Sequence, residues 1–164
     1  MYKLVVSALA IMALPAIAEE AIITGNVESK CQINTDINGV FGNPSTGTLS
    51  TLPADGGVMP IIRYDVALGE AYTARVIAPS SFSTSPALDD IVVWTADVEV
   101  NEVSDTAMAD YETDKVQYEY TTEFDLHTAG STWFKVTSKA EYGYGRSLPG
   151  GQYRAIVMAE CIAN

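Results

Sequence analysis

An all-β fold, an antiparallel sandwich of about seven strands, is predicted by three features of the 164-residue sequence. Apolar residues recur at every second position along most of the chain, turn residues punctuate those runs, and no useful length shows helical periodicity. Period two puts successive side chains on opposite faces of a strand, so each run has one face for a core and one for water.

Taken in chain order, Ile23, Val27, Cys31 and Ile33 share a face opposite Thr24, Asn26, Glu28, Lys30 and Gln32, so Cys31 is expected to point inward. Turn signals follow at Asn38-Gly39, Gly42-Asn43-Pro44 and Pro53 to Gly57. Two runs, Ile62, Tyr64, Val66, Leu68 and Tyr72, Ala74, Val76, Ala78, flank Gly69-Glu70, which reads as a hairpin turn. Pro79 to Pro86 is a loop. Val92, Trp94, Ala96, Val98 and Val100 alternate with Thr95, Asp97 and Glu99. Between Ser104 and Glu112 one or two helical turns are expected, capped by Ser104 or Asp105 and carrying Met108 and Tyr111.

The clearest alternation runs from Lys115 to Leu126: Val116, Tyr118, Tyr120, Thr122, Phe124 and Leu126 form one face, and every residue between them is polar. After a turn at Ala129-Gly130-Ser131, Phe134, Val136, Ser138, Ala140, Tyr142 and Tyr144 repeat the pattern, and Gly145 to Gly151 is a second turn-rich stretch. In the last run Tyr153, Ala155, Val157, Ala159 and Cys161 share a face. The opposite face carries Ile156, Met158 and Ile162, interrupted by Glu160, so this strand is apolar on both sides. Such a strand is covered within the domain or meets another subunit, which makes Ile156, Met158 and Ile162 candidate subunit contacts.

Residues 1–18 have the parts of a secretory signal peptide: Lys3, the apolar stretch Leu4 to Leu14, and small residues at Ala16 and Ala18 before Glu19-Glu20. Residues 19–164 are then expected to form a single domain, and nothing in them is long and apolar enough to span a membrane. The chain carries 9 Lys+Arg against 21 Asp+Glu, net −12. Such acidity repels phosphate backbones and anionic membranes, so a nucleic-acid partner is excluded. Cys31 and Cys161 are the two cysteines, and in an oxidising compartment they are expected to bond rather than remain buried thiols. Closing so long a loop stabilises by roughly 4–5 kcal/mol on the chain-entropy account.

Little in the sequence points to catalysis. His127 is the one histidine, no Gly-x-Ser-x-Gly elbow accompanies it, and a surface position at a strand end is expected. Two cysteines and one histidine do not fill a tetrahedral metal shell, so neither metal nor other cofactor is expected. Carboxylate pairs such as Asp89-Asp90 and Asp97/Glu99 are common in so acidic a chain. Asp105, Asp110, Glu112 and Asp114 invite calcium but lack the spacing of a calcium loop, and read as a solvated acidic segment. Tyr142 and Tyr144, with Tyr118 and Tyr120, are candidates for stacking against sugar rings, although their alternation favours core packing.

The segment Ile23-Thr24-Gly25-Asn26-Val27-Glu28-Ser29-Lys30-Cys31-Gln32-Ile33 resembles the first strand of chaperone-usher fimbrial pilins. The ending Pro149-Gly150-Gly151-Gln152-Tyr153-Arg154-Ala155-Ile156-Val157 is similar to the Gly-x-Tyr last strand of pilins and spore-coat-U-like secreted proteins. That resemblance implies an immunoglobulin-like domain, a periplasmic assembly chaperone as partner, and polymerisation by donated strands. The expected function is therefore a non-catalytic structural or adhesive subunit of a fimbria-like assembly in the periplasm or at the cell surface, with other subunits as partners. The alternative is a free-standing carbohydrate- or calcium-binding module, with a glycan as partner.

Overall fold

Alternating burial along the chain resolves into ten strands in a computed structural model that describes residue 24 and residues 30–67, 71–143 and 146–164. The strands are β1 (Cys31–Ile37), β2 (Gly42–Ser45), β3 (Thr48–Ser50), β4 (Ile61–Val66), β5 (Tyr72–Ile77), β6 (Val92–Val103), β7 (Val116–Tyr118), β8 (Thr121–Leu126), β9 (Gly130–Tyr142) and β10 (Met158–Ala163). They form two antiparallel sheets, as an all-β sandwich requires. The first runs β1-β4-β9-β3-β2 with β6 along the other side of β9, and the second runs β10-β5-β8-β7. The signal-peptide stretch 1–18 lies outside the described residues, as do Ile23, Val27, Leu68, Gly69, Glu70 and Tyr144.

Thirteen-residue β9 is the spine of the first sheet. It pairs with β6 from Thr132 to Tyr142; on its other side β4 takes Gly130 to Lys135 and β3 takes Lys139 to Glu141. Its even-numbered residues from Thr132 to Tyr142 are all buried, which is the period-two pattern of the sequence realised without a slip. Between the sheets, Tyr64, Phe134, Val136 and Val98 meet Ala74, Val76, Phe124 and Leu126. The rings of Phe124 and Phe134, one from each sheet, are 4.2 Å apart, and Tyr64 meets Phe134 edge-on at 5.4 Å. A second aromatic group sits at one end, where Phe82 packs edgewise on Trp94 at 4.7 Å and on Tyr153 at 5.0 Å.

The helical turns expected near Ser104 are present as a 3-10 turn at Thr106–Met108 followed by α1 (Tyr111–Asp114). Asp105 is the cap, its carboxylate accepting from the Ala107 N–H at 2.8 Å, and Met108 and Tyr111 are the buried residues. Three sequence expectations are corrected. The run from Lys115 to Leu126 is two strands rather than one: Tyr118 pairs with Thr121 across a two-residue loop in which Glu119 takes φ 53°. The chain folds back there, leaving Val116 and Tyr118 exposed on an edge strand instead of facing the core. Likewise β4 and β5 are not a hairpin, because they lie in different sheets. Burial is the physical reason: both strands carry large apolar faces, and placing them opposite each other covers both. Finally, the last strand begins at Met158, so Tyr153, Ala155 and Val157 precede it, with Arg154 bridging Thr84.

Covalent closure joins the sheets. Cys31 on β1 and Cys161 on β10 form a disulfide with Cα atoms 6.4 Å apart, spanning 130 residues of sequence. Nearby, the buried Tyr64 hydroxyl of β4 donates toward the carbonyls of Arg75 and Glu160, each at 3.1 Å, so a side chain of one sheet grips the β5–β10 ladder of the other. Burial there pushes the Tyr64 hydroxyl well above its ordinary pKa.

Replacing both cysteines by alanine is expected to lower stability by up to about 5 kcal/mol on the chain-entropy account, read as a shift in the urea midpoint. Tyr64→Phe keeps the ring packing and loses the hydroxyl, and is expected to cost about 1 kcal/mol by the same measurement.

Candidate functional site

A sheet edge presents N–H and C=O groups that need partners, and the three long edges of this sandwich treat that need differently. In β6, Gly143 N–H bonds to the Ile91 carbonyl at 3.1 Å, which sets the odd-numbered residues toward β9 and turns the backbone of Trp94, Val98 and Val100 outward. Side chains from the α1–β8 connection cap those groups. Glu112 accepts from the Val100 N–H at 2.6 Å, Lys115 donates to the Val98 carbonyl at 2.8 Å, and the Tyr120 hydroxyl donates to the Trp94 carbonyl at 3.2 Å. The β6 edge is thereby closed to further strands.

The disulfide-linked edges are different. Asn164 N–H donates to the Ala71 carbonyl at 3.1 Å, continuing the β10–β5 ladder and turning the backbone of Ala159, Cys161 and Ala163 away from β5. On β1 the Ala67 N–H to Lys30 carbonyl bond, at 2.9 Å, turns the backbone of Cys31, Ile33 and Thr35 away from β4 in the same manner. Among the described residues no strand pairs with either of these outer edges. The remaining edges are short: β7 has three residues, and β2 has four that include Pro44.

Beside the open edges lies a cleft of about 750 Å³, where Thr35 and the Asn38–Phe41 turn face the segment from Tyr153 to Val157. Two of its apolar side chains are unusually exposed, Val40 and Ile156, at 54% and 57%. Of the subunit-contact candidates, Ile156 thus lines the cleft. Met158, 54% exposed, and the half-buried Ile162 stand on the outward face of β10, separated by the Glu160–Arg75 ion pair at 3.1 Å. Cys31 and Cys161 form the link behind them. Val40 was not singled out from the sequence; it lies between two turns and shows no alternation that would mark it.

A second cleft of about 700 Å³ lies where the β2–β3 hairpin, the start of β6 and the end of β9 meet, and it shares no lining residue with the first. Tyr142 is at its floor, buried, with its hydroxyl bonded to the Asp89 carboxylate, which also takes Arg146 at 2.7 Å. Those two partners, Tyr142 first, hold the Asp89 carboxyl below its ordinary range. Arg75 does the same for Glu123 on the outer face of the second sheet, with a smaller contribution from the Tyr118 hydroxyl. Tyr118 and Tyr120 belong to the other sheet and its turn, so the structure does not bring them to Tyr142 as one stacking platform; Tyr144 lies outside the described residues.

The remaining candidates disperse. His127 sits just past the end of β8, its ring edge-on to Tyr111, with Nδ1 3.0 Å from the Thr128 hydroxyl and Nε2 3.5 Å from Asp110. Asp97 and Glu99 pair with Lys115 and Lys135 respectively. Of the acidic segment, Asp105 caps a turn and Glu112 pairs with Lys115 at 2.6 Å, and among the described residues no group of three potential ligands is placed to hold a metal. Comparison with known proteins matches no family model and no curated protein.

A carboxyl whose pKa is depressed by folding contributes stability above its unfolded value, near 3.9 for Asp and 4.3 for Glu, and that contribution is lost as pH falls through the folded value. The urea midpoint is therefore expected to drop as pH is lowered below about 4, and Asp89→Asn to flatten part of that dependence.

Proposed function

We propose that this chain is a non-catalytic, exported subunit of a fimbria-like surface assembly, structural or adhesive in role, joining other subunits along the β1/β10 side. Support comes chiefly from the contrast between edges: β6 is capped by three side chains, whereas among the described residues the outer backbone groups of β1 and β10 meet no strand and lie next to a cleft that exposes Val40 and Ile156. An added strand takes its affinity from such backbone groups and its specificity from adjoining pockets. The Cys31–Cys161 bond supports passage through an oxidising compartment, the periplasm on the way to the cell surface or fimbrium. In that reading a periplasmic assembly chaperone covers the open side before a neighbouring subunit does, in keeping with the pilin-like first and last segments.

Exported to a periplasm, purified without reductant and sized by light scattering, the chain is expected as multimers or bound to a chaperone. Ile156→Lys combined with Met158→Lys is expected to shift it to monomer, since both side chains are exposed and their replacement leaves the core intact. A stable monomer of the same mass in both proteins would overturn the proposal.

A further inference from the structure

Ile91 is the most exposed large apolar side chain among the described residues, at 71%, and Val93 beside it is 51% exposed. Val93 stands on the outward face of β6, the face whose other residues are polar, Ile91 immediately precedes the strand, and both line the second cleft. Strand register extends this apolar wall into a polar lane: Val93 pairs with Glu141, Glu141 with Thr48, and Thr48 with Ser45. The lane is stiff. Ser45 donates to the Thr48 hydroxyl at 2.9 Å, and Asn43 donates to the carbonyls of Ser45 and Thr48, each at 2.7 Å. At one end Arg146 is held between Asp89 and Asp90, at 2.7 and 3.3 Å. Gly143 permits that closure: it adopts φ +28°, and a Cβ there would stand 2.7 Å from the Asp90 carboxylate.

A hexopyranose has a face of C–H groups and a rim of hydroxyls. Its C–H face suits two aliphatic side chains, and its hydroxyls suit a carboxylate acceptor and hydroxyls that both donate and accept. Sign of charge selects further. Arg146 is already engaged by two carboxylates, Lys139 is paired with Glu141 at 2.7 Å, and the chain carries net −12, so an anionic ligand finds no free cation among the described residues of the cleft and a repulsive field around it. We propose that this cleft binds an uncharged hexopyranose unit of a glycan, with its C–H face on Ile91 and Val93 and its hydroxyls on Glu141, Thr48 and Ser45. The site stands apart from the assembly side and does not require it, since the two clefts have no residue in common.

The test is an array of neutral and sialylated oligosaccharides, followed by ligand-observed NMR titration with a neutral glycan from the array. Wild type is expected to retain neutral glycans over their sialylated counterparts. Ile91→Asp and Glu141→Gln, both at exposed positions and checked for an unchanged urea midpoint, are each expected to weaken binding at least tenfold. The Ile156→Lys/Met158→Lys protein is expected to bind as wild type does, which separates this proposal from the assembly reading. Retention of no neutral glycan, preference for sialylated ones, or unchanged binding in both Ile91→Asp and Glu141→Gln would overturn it.

Discussion

The link between β1 and β10 is the constraint on which the rest of the sandwich depends. A sandwich is held mainly by non-directional burial between its sheets, and burial alone does not say how the edges of the two sheets align. Here the alignment on one side is set twice within a few residues, by the Cys31–Cys161 bond and by the Tyr64 hydroxyl reaching the Arg75 and Glu160 carbonyls. Among the described residues β10 pairs only with β5, so without these two ties it would be a six-residue edge strand held by one ladder. Arg75 strengthens the same place from outside, bonding Glu123 at 2.7 Å and Glu160 at 3.1 Å across three neighbouring strands. Those ion pairs are partly exposed and therefore add little stability, but they set cross-strand register.

Because the clamp fixes β1 and β10 near each other, two edges that no strand covers among the described residues lie together on one side of the molecule. An unpaired edge is an aggregation hazard unless it is short, capped or used. This chain shortens β7, places Pro44 in β2 and caps β6 with Glu112, Lys115 and Tyr120. Among the described residues the same devices are not applied along β1 and β10, where Ile33, Cys161 and two alanines flank the outward backbone groups. That asymmetry gives the β1/β10 side its place in the functional reading, and the charge of −12 keeps indiscriminate association in check by mutual repulsion.

The two clefts divide two chemistries. One adjoins the β1/β10 side and exposes Val40 and Ile156 among mixed polar and apolar neighbours; the other sets the aliphatic pair Ile91 and Val93 beside carboxylates and hydroxyls on a hydrogen-bonded hairpin. Both lie where loops and strand ends meet, outside the stretches in which burial dictates each residue. Side chains there are free to answer to partners rather than to the core.

Period two was enough to read much of the protein from its residues. It determined the β class, the burial of alternate residues in β4, β5 and β9, and the inward direction of Cys31, because a strand's two faces are written directly into alternate positions. A cap at Ser104 or Asp105 and the helical turns carrying Met108 and Tyr111 were legible for a similar reason, since a cap is a local event within three residues, and the structure chose Asp105. A mark of the second cleft was present too: Val93 is apolar on the polar face of its strand, and Ile91, two positions before it, is apolar as well. What only the tertiary structure decided was pairing. Whether β4 and β5 share a sheet, whether Lys115 to Leu126 is one strand or a hairpin, which edge is capped and which is open, and which residues meet Ile156 or Val93 all depend on contacts between segments far apart in the chain. Alternation tells each strand which face to bury and is silent on which neighbour supplies the cover.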